Sequence, residues 1–297
     1  MFAPLEREII EVQKQTETLG YWQDAWLRLK KNKMATLGLA IILILILAAI
    51  FVPIFSVHTY DEQNLMMPNQ SPSFEHWFGT DNLGRDIFIR VLYGARISLA
   101  IGIVASLINF FIGVIYGGIS GFFGGKVDRI MMNIVDILYS IPTLLYVILL
   151  MVVLKPGLTN IFIALGIGYW LQMARIVRGQ ILALKQQEFV LAARSIGASK
   201  TRILLRHLIP NTMGAIVVTM TLAIPDAIFT EAFLSFIGLG VSAPMASWGV
   251  LASEGINNIR AYPFQLFFPA AAISITMLAF NFLGDGLRDV LDPKMRR

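Results

Sequence analysis

The sequence predicts an all-α integral membrane protein with six transmembrane helices and with both termini in the cytoplasm. Three observations lead there: charge is scarce, the uncharged windows are long enough to span a bilayer, and Lys and Arg are unevenly divided among the joining segments. Of the 297 residues, 56% are hydrophobic and 14% charged, against roughly 25% charged in a soluble domain. The charges are clustered, so long runs carry none. There is no cysteine, which excludes disulfides, zinc–thiolate centres and cysteine nucleophiles. The net charge of +5 reads as basic residues flanking membrane spans on the cytoplasmic side. It does not read as a nucleic-acid surface.

Each element follows in order. Residues 1–33 are polar and of mixed charge. Within them, Tyr21 to Lys33 sets Trp22, Trp26, Leu27 and Leu29 beside Arg28, Lys30, Lys31 and Lys33. That mixture predicts an interfacial elbow helix, with aromatics at headgroup level and basic residues facing anionic lipid. A partner-binding arm is the alternative. A bilayer core of about 30 Å takes roughly 20 helical residues. The first window, Met34 to Tyr60, supplies a span at 34–57. It is about twice the length of a signal-peptide apolar region and lacks a small-residue cleavage pattern, so it reads as retained.

A long polar loop at 58–96 follows, placed outside the cytoplasm. The second window is Ile97 to Gly125. The third, about Ile130 to Leu154, contains Asp136 and Pro142; the fourth is Pro156 to Ala174. His207 to Pro225 opens the fifth span, which continues past Asp226 towards Ile237, and Ala261 to Gly284 is the sixth. Pro142 and Pro225 are expected to kink their helices. A further uncharged window, Ala232 to Ser253, holds Gly238, Gly240, Ser242, Pro244, Ser247, Trp248 and Gly249. It reads as an extracytoplasmic loop at 238–260, or a re-entrant turn buried in protein. The transmembrane core is therefore 97–285, with a cytoplasmic tail at 286–297.

Charge sets the orientation. With the N-terminus inside, the inner segments hold 19 of the 24 Lys and Arg, and the outer ones hold Arg85, Arg90, Arg96, Lys155 and Arg260. That agrees with the positive-inside rule. A seventh span would place Arg288, Lys294, Arg296 and Arg297 outside.

Two joining segments carry motifs. In the outer loop, Phe78 to Asp86 (FGTDNLGRD) combines turn residues with charge. Gly79, Thr80, Asp81, Gly84, Arg85 and Asp86 make a compact unit in which Asp81, Arg85 and Asp86 are candidates for an ion-pair network. It is either a folded cap or a docking surface for a solute-binding protein. His58 and His76 lie in the same loop and His207 elsewhere. They form no site of their own; a nickel-ligand role for His58 or His76 is the alternative, but two lone histidines are a weak signal and no metal site is assigned.

The second segment, 175–210, is far longer than a link between neighbouring spans needs. Glu188 to Ile196 has helical composition, Gly197 interrupts it, and Lys200 to Leu208 resumes until Pro210, which is expected to end the helix. A helix, a glycine turn and a second helix make a cytoplasmic knob, since glycine takes positive φ without steric penalty. An ordinary amphipathic surface hairpin is the alternative.

Leu191 to Pro210 (LAARSIGASKTRILLRHLIP) resembles the EAA signature of ABC importer permeases: Glu-Ala-Ala, three residues, Gly, then about a dozen residues to Pro. Ala192, Ala193, Gly197 and Pro210 match. Leu191 departs, standing where the family's Glu usually sits. Gly79 to Asp86 with Tyr93 to Leu99, and Glu231 to Gly240 with Trp248 and Gly249, resemble segments of the oligopeptide/dipeptide/nickel permeases. The elbow and first span resemble the C-type (OppC/DppC-like) subunit.

The resemblance implies a type I ABC importer permease fold in a bacterial or archaeal inner membrane. It also implies a B-type sister permease, two ABC ATPase subunits that bind ATP and Mg, an extracytoplasmic solute-binding protein and surrounding lipid. It implies no cofactor on this chain, no catalytic residue and no covalent chemistry. Coupling to the ATPases then falls to Ala192, Ala193, Arg194, Gly197, Ala198 and Pro210. The substrate stays open among oligopeptides, dipeptides, nickel chelates and related solutes.

The chain has no P-loop of its own: Gly125-Lys126 precedes Val127, and Lys200-Thr201 follows Ser199. Charged residues inside spans are costly and usually face a cavity or a partner. Asp226, Glu231 and Asp136 are therefore translocation-path candidates, the alternative being a packing hydrogen bond or a pair with the sister subunit. A secondary transporter would show an internal repeat, and an intramembrane enzyme a nucleophile and base or a metal constellation. Neither is visible.

Overall fold

The computed structural model describes residues 20–242 and 244–291. Among them the only β feature is an isolated bridge between Thr80 and Asp86. Of the predicted N-terminal segment only 20–33 fall within this range, and of the predicted tail only 286–291.

Helix α1, Tyr21–Lys31, buries Ala25 and Leu29 against Val290 and Leu291 and leaves Trp22, Trp26 and Leu27 exposed. Asn32 turns the chain, its side chain accepting from Met34 N and Ala35 N at 3.1 and 3.2 Å. Helix α2, Lys33–Phe55, follows. Helix α3, Ile87–Phe123, is 37 residues long, about 55 Å at 1.5 Å per residue. It starts at Asp86, whose carboxylate accepts from Ile89 N at 2.9 Å. The helix thus begins well before Ile97, where charge had placed the loop boundary. Arg90 and Arg96, read as loop charges, are helical and partnered. Arg96 donates to the carbonyls of Ala49 (2.5 Å) and Ile50 (2.9 Å). Pro53 has no N–H to offer Ala49, so the arginine replaces the missing helical donor.

The third span is not one kinked helix. Helix α4, Gly125–Tyr139, and helix α5, Thr143–Leu154, meet at 79°. Pro142 stands at the cap of α5 and disfavours helical backbone at Ile141 before it, so the chain breaks there. Helix α6, Leu158–Leu184, and the short α7, Glu188–Ser195, follow. Helix α8 then runs without interruption from Lys200 to Phe236. Pro210 was expected to end a helix; it lies inside this one. A π-helical stretch at Ile203–Leu208 precedes it, and such widened turns relieve the clash between a proline ring and the preceding turn. Asn211 Nδ2 donates to the His207 carbonyl at 2.5 Å. Pro225 also sits within α8. Helices α9, Trp248–Ile256, and α10, Phe264–Leu291, complete the chain. The Ala232–Ser253 window is the end of α8, a turn with Gly238 at φ +84°, and the start of α9.

Five of these helices are long and apolar enough to cross a membrane, or six if the bent α4–α5 pair is one span. The chain is a multi-pass membrane protein. α3 is the central helix, packed most extensively on α6 and next on α8; α8 packs on α10 and α10 on α2. Gly113, Gly117 and Gly121 form the α3 seam with α6. A methyl group added at Gly117 would collide with the Ala174 carbonyl, and one at Gly121 would lie 2.9 Å from the Arg178 carbonyl. Small residues at this spacing let two membrane helices approach at backbone distance.

Candidate functional site

The bundle has two worked ends. At one, α7 and the turn before α8 form a knob. Val190 and Ala193 are buried with Ile203 and Leu208, which anchors α7 to the α8 base. The opposite face of α7 is bare: Phe189, Leu191, Ala192 and Arg194 are exposed, and Ile196 is 87% exposed. Gly197 sits at φ +81° with open space where a side chain would be. Its N–H donates to the Arg194 carbonyl at 3.0 Å, and Ala198 N–H donates to that of Ala193 at 3.0 Å. That pair of bonds is the Schellman ending of a helix, so glycine is required here by backbone angle rather than by crowding. Ser199 Oγ then caps α8 by accepting from Arg202 N at 3.3 Å. The predicted coupling residues thus divide: Ala193 is buried, Ala198 half-buried, and Ala192, Arg194 and Gly197 face outward. Pro210 lies at the start of the α-helical part of α8.

The three acids expected along a translocation path fare differently. Asp136 is paired with Arg175 at 2.6 Å, and that guanidinium lies 4.0 Å from the Tyr139 ring centroid. One turn away, Arg178 Nε and Nη2 donate to Asp128 at 2.5 and 2.6 Å. These arginines tie α6 to α4. Asp226 keeps its carboxylate exposed on α8, while its backbone carbonyl accepts from Tyr169 Oη at 3.0 Å. Glu231 does not line a path in this conformation, because it is fully enclosed. Ser235 Oγ donates to it at 2.6 Å and Ser98 Oγ at 3.3 Å. Ser98 Oγ in turn accepts from Trp248 N at 3.2 Å, and the indole Nε1 donates to the Val91 carbonyl at 2.8 Å. The carboxyl is a buried node joining α3, α8 and the start of α9.

At the other end, the motif at 78–86 closes a clasp. Gly84 ends a turn at φ +72°, its N–H donating to the Asp81 carbonyl at 3.0 Å. Asp81 Oδ1 accepts from Leu83 N and Arg85 N at 2.8 and 3.0 Å; Oδ2 accepts from Arg85 Nε at 2.6 Å and Arg90 Nη1 at 2.5 Å. Arg90 also reaches Glu254 of α9 at 2.7 Å, and Arg85 reaches it at 3.2 Å. The ion-pair network is therefore Asp81, Arg85, Arg90 and Glu254. Asp86 leaves it: besides capping α3, it accepts from or pairs with His76 Nδ1 at 2.8 Å. Thr80 Oγ1 bonds Met67 O and Gln70 N, each at 2.8 Å, and its carbonyl accepts from Gln265 of α10 at 3.0 Å. Gly79, at φ +78°, has no room for a side chain beside the Gln70 carbonyl and Phe264. His58 and His76, two lone histidines in the sequence, come together: their ring centroids are 4.8 Å apart, beside Asp86.

Comparison with known proteins decides the class. The family described as binding-protein-dependent transport system inner membrane component matches residues 110–297. The N-terminal TM domain of oligopeptide transport permease C matches residues 20–72. The chain belongs to this transport-permease family. It is 56% identical to the oligopeptide transport system permease protein OppC of Bacillus subtilis (strain 168), covering 100% of this chain and 98% of that protein. Identity to the dipeptide transport system permease protein DppC of the same organism is 57%, over 94% and 88% of the two chains. It is 45% to the glutathione transport system permease protein GsiD of Escherichia coli O6:K15:H31, over 93% and 91%.

As a permease of this family the chain is a membrane component of an ABC importer and not an enzyme; ATP hydrolysis lies in other subunits. The sequence reading missed Arg90, Glu254 and Gln265 in the clasp, and Arg175 and Arg178 as partners of the α4 acids. Arg90 carried a usable signal. It lies four residues after Asp86, in phase with the helix that Asp86 caps.

Proposed function

We propose that the chain is the C-type permease subunit of an ATP-driven importer of oligopeptides or dipeptides. It forms half of the translocation pathway beside a sister permease, with both termini in the cytoplasm. The knob at 188–199 is the ATPase-coupling element. The observation that carries this reading is the bare apolar face of α7. Leu191, Ala192 and Ile196 are held outward by a buried base and a glycine-set turn. Exposed apolar side chains clustered on a rigid support mark a protein-docking surface. The lysine and arginine distribution supports placing it in the cytoplasm.

Docking there lets ATP binding bias the permease between two conformations, by no more than the differential affinity of ATP for them. The ATP and its Mg belong to the partner subunits. An extracytoplasmic binding protein delivers solute to the clasp end. Asp226 is the pathway residue of the three acids, because an exposed carboxylate on a membrane helix is stable facing a cavity or a partner rather than lipid. Its charge suits the amino terminus of a peptide.

The test is uptake of labelled peptide into proteoliposomes holding the whole importer, with and without this chain. ATP-dependent accumulation that requires the chain supports the proposal. Accumulation driven by an ion gradient without ATP would refute it. Preference for a nickel chelate over peptides would reassign the substrate and leave the mechanism.

A further inference from the structure

One cluster plays no part in that cycle. His58 follows α2, His76 lies late in the outer loop, and Asp86 caps α3. One ligand atom from each lies within 4.8 Å of the others. His76 and Asp86 are 7% and 5% exposed and His58 is half-buried. They line a cavity of about 140 Å³ shared with Glu62 and Glu75.

We infer that His58, His76 and Asp86 form a binding site for a divalent transition metal of the zinc, nickel and copper class. Two imidazoles and one carboxylate are a donor set for these borderline ions. Calcium and magnesium take oxygen ligands and would not select it. Metal–ligand bonds of 2.0–2.2 Å in a tetrahedral site put ligand atoms about 3.3 Å apart. The observed separations, from 2.8 Å between His76 Nδ1 and Asp86 Oδ2 up to 4.8 Å, bracket that value.

Two of the three ligands are already positioned. Asp86 Oδ1 is held by Ile89 N, which leaves Oδ2 aimed at the histidines. His76 is fixed by reciprocal bonds with Ser73, its N–H to Ser73 Oγ at 3.0 Å and its carbonyl from Ser73 N at 2.8 Å. Half-buried His58 is the third ligand, and all three side chains line the cavity. The His76–Asp86 bond alone accounts for two residues of the cluster and not for His58 held against the His76 ring. A bound metal links the exit of α2 to the start of α3 and clamps the loop that carries the clasp.

The experiment uses the full-length chain in its complex, stripped by chelating resin and dialysed against zinc chloride, with nickel chloride in parallel. Metal content is read by mass spectrometry. The wild type is expected to hold one zinc per chain more than His58→Ala or Asp86→Asn. Asn keeps a side-chain oxygen for the helix cap, and half-buried His58 tolerates truncation, so neither change threatens the fold. Affinity should fall by at least about tenfold, the scale at which even outer-shell losses weaken metal sites. His207→Ala, in the base of α8 at the knob end of the bundle, is expected to retain wild-type binding. Cobalt(II) should give the visible bands of a tetrahedral site in the wild type and lose them in His58→Ala. Equal zinc content in the wild type and both variants, or loss of zinc in His207→Ala alone, overturns the assignment.

Discussion

Removing the carboxylate at Asp81 tests how the clasp holds the outer loop to the helices. Asp81→Ala deletes four hydrogen bonds: two to the turn N–H groups of Leu83 and Arg85, and two to the guanidinium groups of Arg85 and Arg90. Arg90 is 2% exposed, and its Nε already has no partner. Breaking a buried pair by deleting one member costs about 3–5 kcal/mol, because the other charge stays buried. Glu254 remains within 2.7 Å of Arg90, which places the loss near the lower end, about 3 kcal/mol.

Asp81→Asn keeps an acceptor for the turn and loses the charge, so it should cost about 2 kcal/mol. Glu254→Gln should cost about 1 kcal/mol or less, because that carboxylate is partly solvated. Amide hydrogen exchange across the outer loop and the first turns of α3 reads these differences as local opening. At 1.4 kcal/mol per decade, Asp81→Ala should speed exchange about 100-fold and Glu254→Gln by less than about tenfold. Equal exchange in Asp81→Ala and the wild type would show that Arg90 is not held by Asp81, and the account of the clasp would fail.

Three further outcomes follow from the same geometry. Gly117→Ala should lower the thermal stability of the solubilised chain by the equivalent of about 1–3 kcal/mol, while Gly118→Ala, whose methyl group would make ordinary van der Waals contact with Ile181 and Leu204 at 3.8 and 3.9 Å, should change it little. Arg96→Ala strips the donor from the Ala49 carbonyl beside Pro53 and should cost about 1–3 kcal/mol; Arg96→Gln should recover part of this in a thermal-denaturation assay. Asp226→Asn should raise the KM for peptides with a free amino terminus about tenfold and leave N-acetylated peptides unchanged; an equal effect on both would remove the pathway role.

What was legible in the sequence follows from which physical rule acts locally. Helix existence came from long uncharged runs, because lipid tolerates few charges and no unpaired backbone. The α7–Gly197–α8 turn was legible because it needs a positive φ that one residue type supplies cheaply. The limits of that reading lay where partners come from distant segments. Arg90 and Arg96 look like loop charges until Glu254 and the carbonyls of α2 are brought beside them. Glu231 looks like a pore acid until Ser98, Ser235 and Ser247 enclose it. Pro142 and Pro210 have the same backbone chemistry and opposite outcomes, a 79° break and a continuous helix. A π-helical turn precedes Pro210 and none precedes Pro142, and local composition does not announce it. The sequence reading passed over the Gly113-Gly117-Gly121 spacing, a local signal for the α3–α6 contact.

The central claim is that the bare face of α7 docks on the importer's ATPase subunits. The native chain has no cysteine, so a single Ala192→Cys reports one position without background. In the whole importer, that cysteine should cross-link to an engineered cysteine on the ATPase surface, with a yield that changes when ATP is bound. Ile196→Asp should abolish both cross-linking and ATP-dependent uptake while the complex keeps its thermal stability. An uncross-linked Ala192→Cys in an importer that still transports, or normal uptake by Ile196→Asp, would contradict the claim.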